Sequence, residues 1–282
     1  MITTALKKLR SIHAKWVDRF TIAASLLAYS QIQANPHKNP ITAKGACYFS
    51  QNDEDGITLE LIKRLGIEKS VFVELGVGDG LENNTIILLA SGWKGVWLGG
   101  EQLAFDNTDR NTRLAFGRAW IDRDNVSQLI PDQLAKLGCS ASDVEYLSID
   151  LDGNEAYLIP PLLGENLKPS IIVCEYNGKY PPPLKFSIAY DAKHEWDYSD
   201  YQGASLQHLI DEFSKYGYTL ICCNMNGVNG FFVRNDKLEA FKDINLDASE
   251  IFIPANFLAR SPAGHKTSPK TMKILVGGRS LG

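Results

Sequence analysis

The stretch VFVELGVGDG, residues 71–80, decides the fold. Val71, Phe72, Val73 and Leu75 form a nearly unbroken apolar run, as a strand buried on both faces requires. Gly76, Gly78 and Gly80 follow at once, and Leu81 to Ser91 is an apolar-rich run that predicts a helix. Strand, glycine turn and helix let backbone approach a nucleotide-like ligand and aim a helix N-terminus at it. Glu74 at the strand end and Asp79 in the turn narrow the choice. Two carboxylates repel a dinucleotide pyrophosphate, whereas they suit the sulfonium and ammonium groups of S-adenosylmethionine (SAM). The turn therefore favours SAM over NAD, with a tight turn that binds nothing as the third reading.

Upstream lies CYFSQNDEDGITLELIKRLG, residues 47–66. Ile57, Leu61, Ile62 and Leu65 share one helical face, and Gly66 stops the helix. Asn52 to Asp55 stand where caps and first-turn acids belong. Three acids in a row after Ser50 and Gln51 exceed what a cap needs, so this segment either caps or faces a site. Further upstream, Leu6, Leu9, Ile12, Trp16 and Phe20 predict one or two helices over residues 3–33, ended by the prolines at 36 and 40.

Downstream, GVWLGG (95–100) predicts a second strand, and AWI (119–121), ending in Asp122, a third. Residues 125–137 predict a helix that restarts at Pro131. YLSID (146–150) and SIIVCEY (170–176) predict the fourth and fifth strands, with a helix beginning in DGNEAYLIPPLL between them. Alternation at this spacing means α/β with a largely parallel sheet. Residues 177–202 break the rhythm with Pro181, Pro182, Pro183, His194 and several aromatics. A long irregular segment after a strand's C-terminal end is usually functional. Gly203 to Tyr216 is amphipathic through Leu206, Leu209, Ile210 and Phe213. YTLICC (218–223) and GFFVR (230–234) then form a hairpin, with Asn226-Gly227 supplying the turn. The tail from 236 onward carries no clear pattern.

Together, YFSQNDEDGI, FVELGVGDG followed by NNT, SGWKGVWL, YLSIDLDGNE, IIVCEYN, YQGASLQHL and GYTLICCNMNGVNGFFVR resemble the FkbM-like branch of the SAM-dependent methyltransferases. The matching residues run from about 48 to 234, roughly two thirds of the chain. The resemblance implies a Rossmann-like, seven-stranded α/β sheet closed by an antiparallel hairpin, and O-methylation of a sugar or polyketide-like hydroxyl. It divides the chain into an N-terminal helical extension (1–44), a methyltransferase-like domain (45–240) and a C-terminal tail packed on it (241–282). By position, Glu74 and Gly76 would lie near the amino-acid part of SAM, Gly78, Asp79 and Gly80 in the turn, Asn84 and Thr85 in the next helix's first turn, and Asp122 near the adenine. One position departs. The acid that holds the ribose hydroxyls at the end of the second strand is Gly99 here, with Glu101 two residues later.

Methyl transfer to a hydroxyl needs proton removal, orientation and exclusion of water. Asp150 and Asp152 flank Leu151 at the end of the fourth strand and predict carboxylates on one side; Glu175 and Asn177 do the same on the fifth. These four oxygen-bearing side chains suit Mg²⁺ or Ca²⁺, which would polarise a hydroxyl; a turn with a helix cap is the competing explanation. His194 is the candidate general base, with Asp150 beside it, and a surface histidine is the alternative. Tyr190, Trp196 and Tyr201 could wall a sugar ring or simply pack the loop. Ser205 either faces the cleft or caps a helix. No G-x-S-x-G, H-E-x-x-H or Walker lysine loop appears, which removes hydrolase, zincin and P-loop readings.

The net charge of −4 gives no nucleic-acid footprint. Residues 1–50 nevertheless carry +6, leaving −10 on the rest, so the basic start could touch an anionic surface or simply be solvated. Five cysteines without a CxxC or a metal-ligand spacing predict a reducing, cytoplasmic setting. FTIAASLLAYSQIQA resembles an export signal only weakly, and no run reaches the roughly 18 apolar residues of a membrane span. The expected protein is thus a SAM-dependent O-methyltransferase of a small-molecule or glycan acceptor, assisted by a divalent cation and able to form a homo-oligomer. Two alternatives stand: a binding or scaffold protein on the same fold without catalysis, and an NAD-dependent enzyme.

Overall fold

The computed structural model describes residues 37–107, 113–164, 167–256, 267 and 269–277. The helices expected over residues 3–33 lie outside them.

Seven strands form one sheet: β1 (Val71–Leu75), β2 (Lys94–Gly99), β3 (Leu114–Arg118), β4 (Val144–Ile149), β5 (Ile171–Glu175), β6 (Tyr218–Cys223) and β7 (Asn229–Arg234). Their spatial order is β3-β2-β1-β4-β5-β7-β6. All neighbours are parallel except β7, which runs antiparallel to both β5 and β6. This is the expected Rossmann-like, seven-stranded sheet with a closing antiparallel hairpin. The order reverses beside β1, so the crevice that receives ligands in open α/β sheets opens over the C-terminal ends of β1 and β4.

All five residues of β1 are buried, including Glu74. One core packs Val73, Leu75, Leu147 and Ile172 beneath the sheet; a second packs Phe72, Trp97, Tyr146 and Phe231 above it. Helix α1 (Glu54–Leu65) lies on the second core through Ile57, Leu61 and Ile62. Each such buried side chain contributes about 1.5–3 kcal/mol over its exposed state. Gly66, at φ +66°, ends α1 in the left-handed conformation that glycine adopts without a Cβ penalty. Among the described tail residues, Phe241, Ile244, Met272 and Leu275 also enter the second core. No helix among the described residues is long and apolar enough to cross a membrane.

Three elements differ from the expectation. The third strand forms at Leu114–Arg118, not at 119–121. Its partner β2 ends at Gly99, where Ala119 donates the last bond to the Gly99 carbonyl, so residues beyond have nothing to pair with. The helix after β1 is only α2 (Ile86–Ala90), because Leu81 to Thr85 are held in a turn. Asp79 accepts the Leu81 N–H, and Glu74 accepts those of Asn84 and Thr85. The helix at 126–136, α3 (Val126–Lys136), runs through Pro131 without restarting. Pro131 is exposed, so the carbonyl it leaves unbonded one turn earlier is on the side that water reaches.

Candidate functional site

A cleft of about 370 Å³ opens over the C-terminal ends of β1, β4 and β5. Glu54, Glu74, Asp79, Glu82, Asp150, Asp152 and Glu175 line it, and among the described residues no Lys, Arg or His does. Seven acidic side chains facing one space favour a cationic occupant.

The floor is the glycine turn. Gly76 and Val77 both direct their N–H groups at the Leu98 carbonyl, which pins the turn against the end of β2. Gly76, at φ +88°, touches the next strand so closely that a Cβ there would lie 1.5 Å from the Asp150 carbonyl oxygen. Glu74 is fully engaged beneath. Its Oε1 accepts from the Asn84 N–H (2.9 Å) and its Oε2 from the Thr85 N–H (3.1 Å) and the Thr85 hydroxyl. Trp97 Nε1 donates to Thr85 Oγ1 (2.8 Å), and Asn84 Nδ2 to Ser148 Oγ (3.1 Å). Burial pushes the Glu74 carboxyl up to about 7 against these hydrogen bonds. Glu74 and Asn84 reach the cleft; Thr85 supports them from behind.

Gly99 has a structural cause. A Cβ on it would stand 3.1 Å from both the Val77 side chain and its backbone nitrogen, so the turn fills the place of a side chain there. Glu101 is exposed, outside the cleft lining, and its charge acts on Asp152. Asp122 also lies outside that lining. Its Oδ1 accepts the N–H groups of Asp124 and Asn125 (both 2.9 Å) just ahead of α3.

Three carboxylates form the cleft's centre. One oxygen each from Asp150, Asp152 and Glu175 lies within 4.8 Å of the others. Asp150 follows β4 and Glu175 ends β5, so the two adjacent strands bring their carboxyl groups together. Burial first, then the charges of Asp152 and Glu155, pushes the Asp150 carboxyl up to about 8, and burial with Asp150 raises Glu175 well above the carboxylate range. Asp152 joins them through a backbone turn rather than strand alternation: its φ is +57°. Glu155, fully buried at the start of α4 (Glu155–Gly164), accepts the N–H groups of Leu151 (2.9 Å) and Gly153 (2.8 Å) and so holds that turn. A helix start alone does not reveal this role from sequence.

His194 sits on the same turn. Its Nε2 is 3.2 Å from the Asp152 carbonyl oxygen, and a Cβ on Gly153 would collide with its ring at 2.2 Å. With Nε2–H donating to that carbonyl, Nδ1 carries the free lone pair. Asn177 stays outside the carboxylate group. Its Nδ2 donates to the Asp200 and Gln202 carbonyls (both 2.9 Å) and its Oδ1 accepts the Lys179 N–H (3.1 Å), which ties the 177–202 segment to β5. Of the aromatics, Trp196 lines the cleft. Tyr201 is exposed, and its hydroxyl accepts the Ala189 N–H (3.3 Å). Tyr190 packs under the Arg123 guanidinium (4.1 Å) and beside Tyr157. Ser205 caps α5 (Leu206–Ser214), accepting the His208 N–H and donating to the Leu184 carbonyl.

The opposite wall comes from Gln51, Asn52 and Glu54 and from the β6–β7 turn, with Asn226, Val228 and Asn229. Glu54 is 1% exposed, and Oε1 accepts from Asn224 Nδ2 (2.8 Å) and Asn229 Nδ2 (3.0 Å). Asn226 Nδ2 donates to Asn52 Oδ1 (2.9 Å). The neighbouring acids are structural: Asp53 accepts the Met225 N–H, and Asp55 those of Tyr48, Phe49 and Ser50. The signal for this wall is NMNGVN itself, whose asparagines exceed the single Asn-Gly that a hairpin turn needs.

No family model and no curated protein matches the chain. Among solved structures it is similar to the glycopeptide N-methyltransferase MtfA, at 16% identity over 71% of this chain and 98% of that one, with a TM-score of 0.37. The methyltransferase domain of bacterial CtHen1-C is similar at 16% identity over 64% of this chain and 96% of that one, with a TM-score of 0.36. A SAM-dependent methyltransferase from Geobacter sulfurreducens, solved with S-adenosyl-L-homocysteine, is similar at 16% identity over 64% and 70%, with a TM-score of 0.35.

Proposed function

We propose that the chain is a SAM-dependent O-methyltransferase, of the FkbM-like kind, acting on a polyhydroxyl small molecule or glycan. One observation carries this reading: among the described residues, seven acidic side chains and no Lys, Arg or His line the cleft over the glycine turn. Such a donor set fits a sulfonium and an ammonium and repels a pyrophosphate. Bound SAM supplies an electrophilic methyl group on a positively charged sulfur.

The chain's own residues do the rest. Glu74 and Asp79 offer oxygens to the ammonium end, and the turn at Gly76 and Gly78 admits backbone contact. Asp150 and Glu175 orient the acceptor hydroxyl by hydrogen bonds. His194 Nδ1 or the Asp150 carboxylate takes its proton, and burial with the neighbouring acids pushes the Asp150 carboxyl up to about 8. Trp196 covers the cleft and gives a sugar ring an apolar face. A divalent cation fits the oxygen-only cluster of Asp150, Asp152 and Glu175, where it would lower the pKa of a hydroxyl.

A second reading, a ligand-binding protein on this fold that transfers nothing, is favoured by Gly99, which leaves no ribose carboxylate at the end of β2. Calorimetric titration with SAM and S-adenosylhomocysteine, with NAD as control, tests the assignment. Micromolar binding of both adenosyl ligands and none of NAD is expected. Failure of both to bind would reject the methyltransferase reading.

A further inference from the structure

The wall facing the carboxylates contains one buried oxygen that no group among the described residues satisfies. Asn229 is 4% exposed and lines the cleft, and its Oδ1 has no hydrogen-bond partner. Its orientation is not arbitrary. An ionised carboxylate only accepts hydrogen bonds, so the side of the Asn229 amide that meets Glu54 Oε1 at 3.0 Å must be the NH₂. Glu54 is itself held by Asn224 and by the Asn52 backbone N–H (3.1 Å), so it cannot turn away without breaking the wall. The amide oxygen is thereby directed away from Glu54.

Asn229 is also placed by the sheet. It is the register partner of Glu175 across the antiparallel β5–β7 pair. Directly opposed residues project their side chains to the same face, with Cβ atoms about 5 Å apart. Glu175 Oε2 likewise lacks a partner, and Glu175 belongs to the three-carboxylate group. Two adjacent buried oxygens without a partner among the described residues, beside the carboxyl groups of Asp150 and Asp152, suit an electropositive occupant.

We propose that Asn229 Oδ1 is the fourth protein oxygen of a divalent-cation site formed with Asp150, Asp152 and Glu175, and that Glu54 is the residue that positions it. The proposal rests on the cation reading of the same cleft. It assigns the fourth ligand to β7, whereas the sequence pattern points to Asn177, whose amide is occupied by the 177–202 segment. Hard cations prefer such oxygens, and a six-coordinate ion held by four would keep positions for water or acceptor hydroxyls.

Mn²⁺ alone, titrated into the full chain and followed by the electron paramagnetic resonance of the free ion, tests both levels. Wild type and Asn177→Ala should bind one Mn²⁺ with affinities within twofold of each other. Asn229→Ala should bind at least tenfold more weakly, as should Asp152→Asn. If Asn229→Ala does not fold, Asn229→Ser carries the same expectation. A folded Asn229 variant within twofold of wild type, with Asp152→Asn weakened, would overturn the role of Asn229 while leaving the cation site standing. Absence of Mn²⁺ binding by wild type would overturn the site itself.

Discussion

Asp150 and Glu175, at the ends of two adjacent parallel strands, bring carboxyl oxygens within 4.8 Å of each other, and burial of two such neighbours disfavours ionising both. With Asp150 pushed up to about 8 and Glu175 raised well above the carboxylate range, the folded protein retains protons that the unfolded chain has released. Stability from this pair is therefore fullest below the ordinary carboxylate range and falls as pH rises from about 4 toward 8. Asp150→Asn removes one titrating group. Above pH 8 this variant should be more stable than wild type by on the order of 2 kcal/mol, or about 4–8 °C in Tm. Melting curves from pH 5 to 9 in the absence of metal check this. Parallel Tm profiles for the two proteins would show that the pair retains no such proton.

Glu155 should matter through the backbone it holds. Its carboxylate accepts two N–H groups on either side of Asp152, the residue at φ +57°. Glu155→Ala leaves two donors in a buried place without an acceptor and should cost about 2–4 kcal/mol. Glu155→Gln retains one acceptor oxygen and should lose less than half of that. Urea denaturation of both variants measures the difference. Equal losses would mean that charge, not the hydrogen bonds to the turn, is what Glu155 supplies.

The sheet was legible because its signals are local. VFVEL has the composition of a buried parallel strand, the Asn-Gly turn declares the final hairpin, and Glu74 and Asp150 fall at strand ends by simple counting. The third strand was misplaced because AWI has strand composition, while pairing depends on where β2 ends, a fact of the tertiary structure. The helix after the glycine turn was drawn too early because nothing in the local sequence says that Glu74 will take the N–H groups of Asn84 and Thr85. The cleft is legible mainly on one side, although the polar run at Asn52 to Asp55 already offers a site-facing segment and Asn52 and Glu54 do line the other. Asp150, Asp152 and Glu175 are near in sequence to strands whose order could be inferred. The wall of Asn52, Glu54 and Asn229 joins residues more than 170 positions apart, and only the placement of β7 between β5 and β6 brings them together.

Gly76 and Gly78 should respond differently to alanine, although both have positive φ. At Gly76 a methyl group would overlap the Asp150 carbonyl oxygen at 1.5 Å, so β1 and β4 could not keep their register beyond Leu75. Gly76→Ala should fail to fold or lose more than 100-fold in affinity for S-adenosylhomocysteine. At Gly78, φ +50°, nothing lies within 4 Å of the added carbon. Gly78→Ala should cost only about 1 kcal/mol, the ordinary penalty of a left-handed non-glycine residue. Thermal melts and calorimetry separate the two, and similar behaviour would contradict the close β1–β4 contact.

Glu74 supplies a pH signature for the cofactor itself. Burial pushes its carboxyl up to about 7, so near pH 6 most of the ligand-free protein carries a proton there. A cationic ligand beside Glu74 favours the ionised form and must expel that proton on binding. Affinity for SAM should therefore climb by up to ~10-fold per pH unit between 5.5 and 7 and level off above, the slope expected when one proton is released. Calorimetry at pH 6 in two buffers of different ionisation enthalpy should report a release approaching one proton. NAD, which brings phosphates to the same turn, should show no such gain with pH. In Glu74→Gln the dependence should flatten. Its absolute affinity should also fall, because the glutamine NH₂ would meet the N–H of Asn84 or Thr85 where the carboxylate accepts both. An affinity for SAM that is constant across this range in wild type would mean that Glu74 stays ionised in the free protein and acts only as the support of the turn.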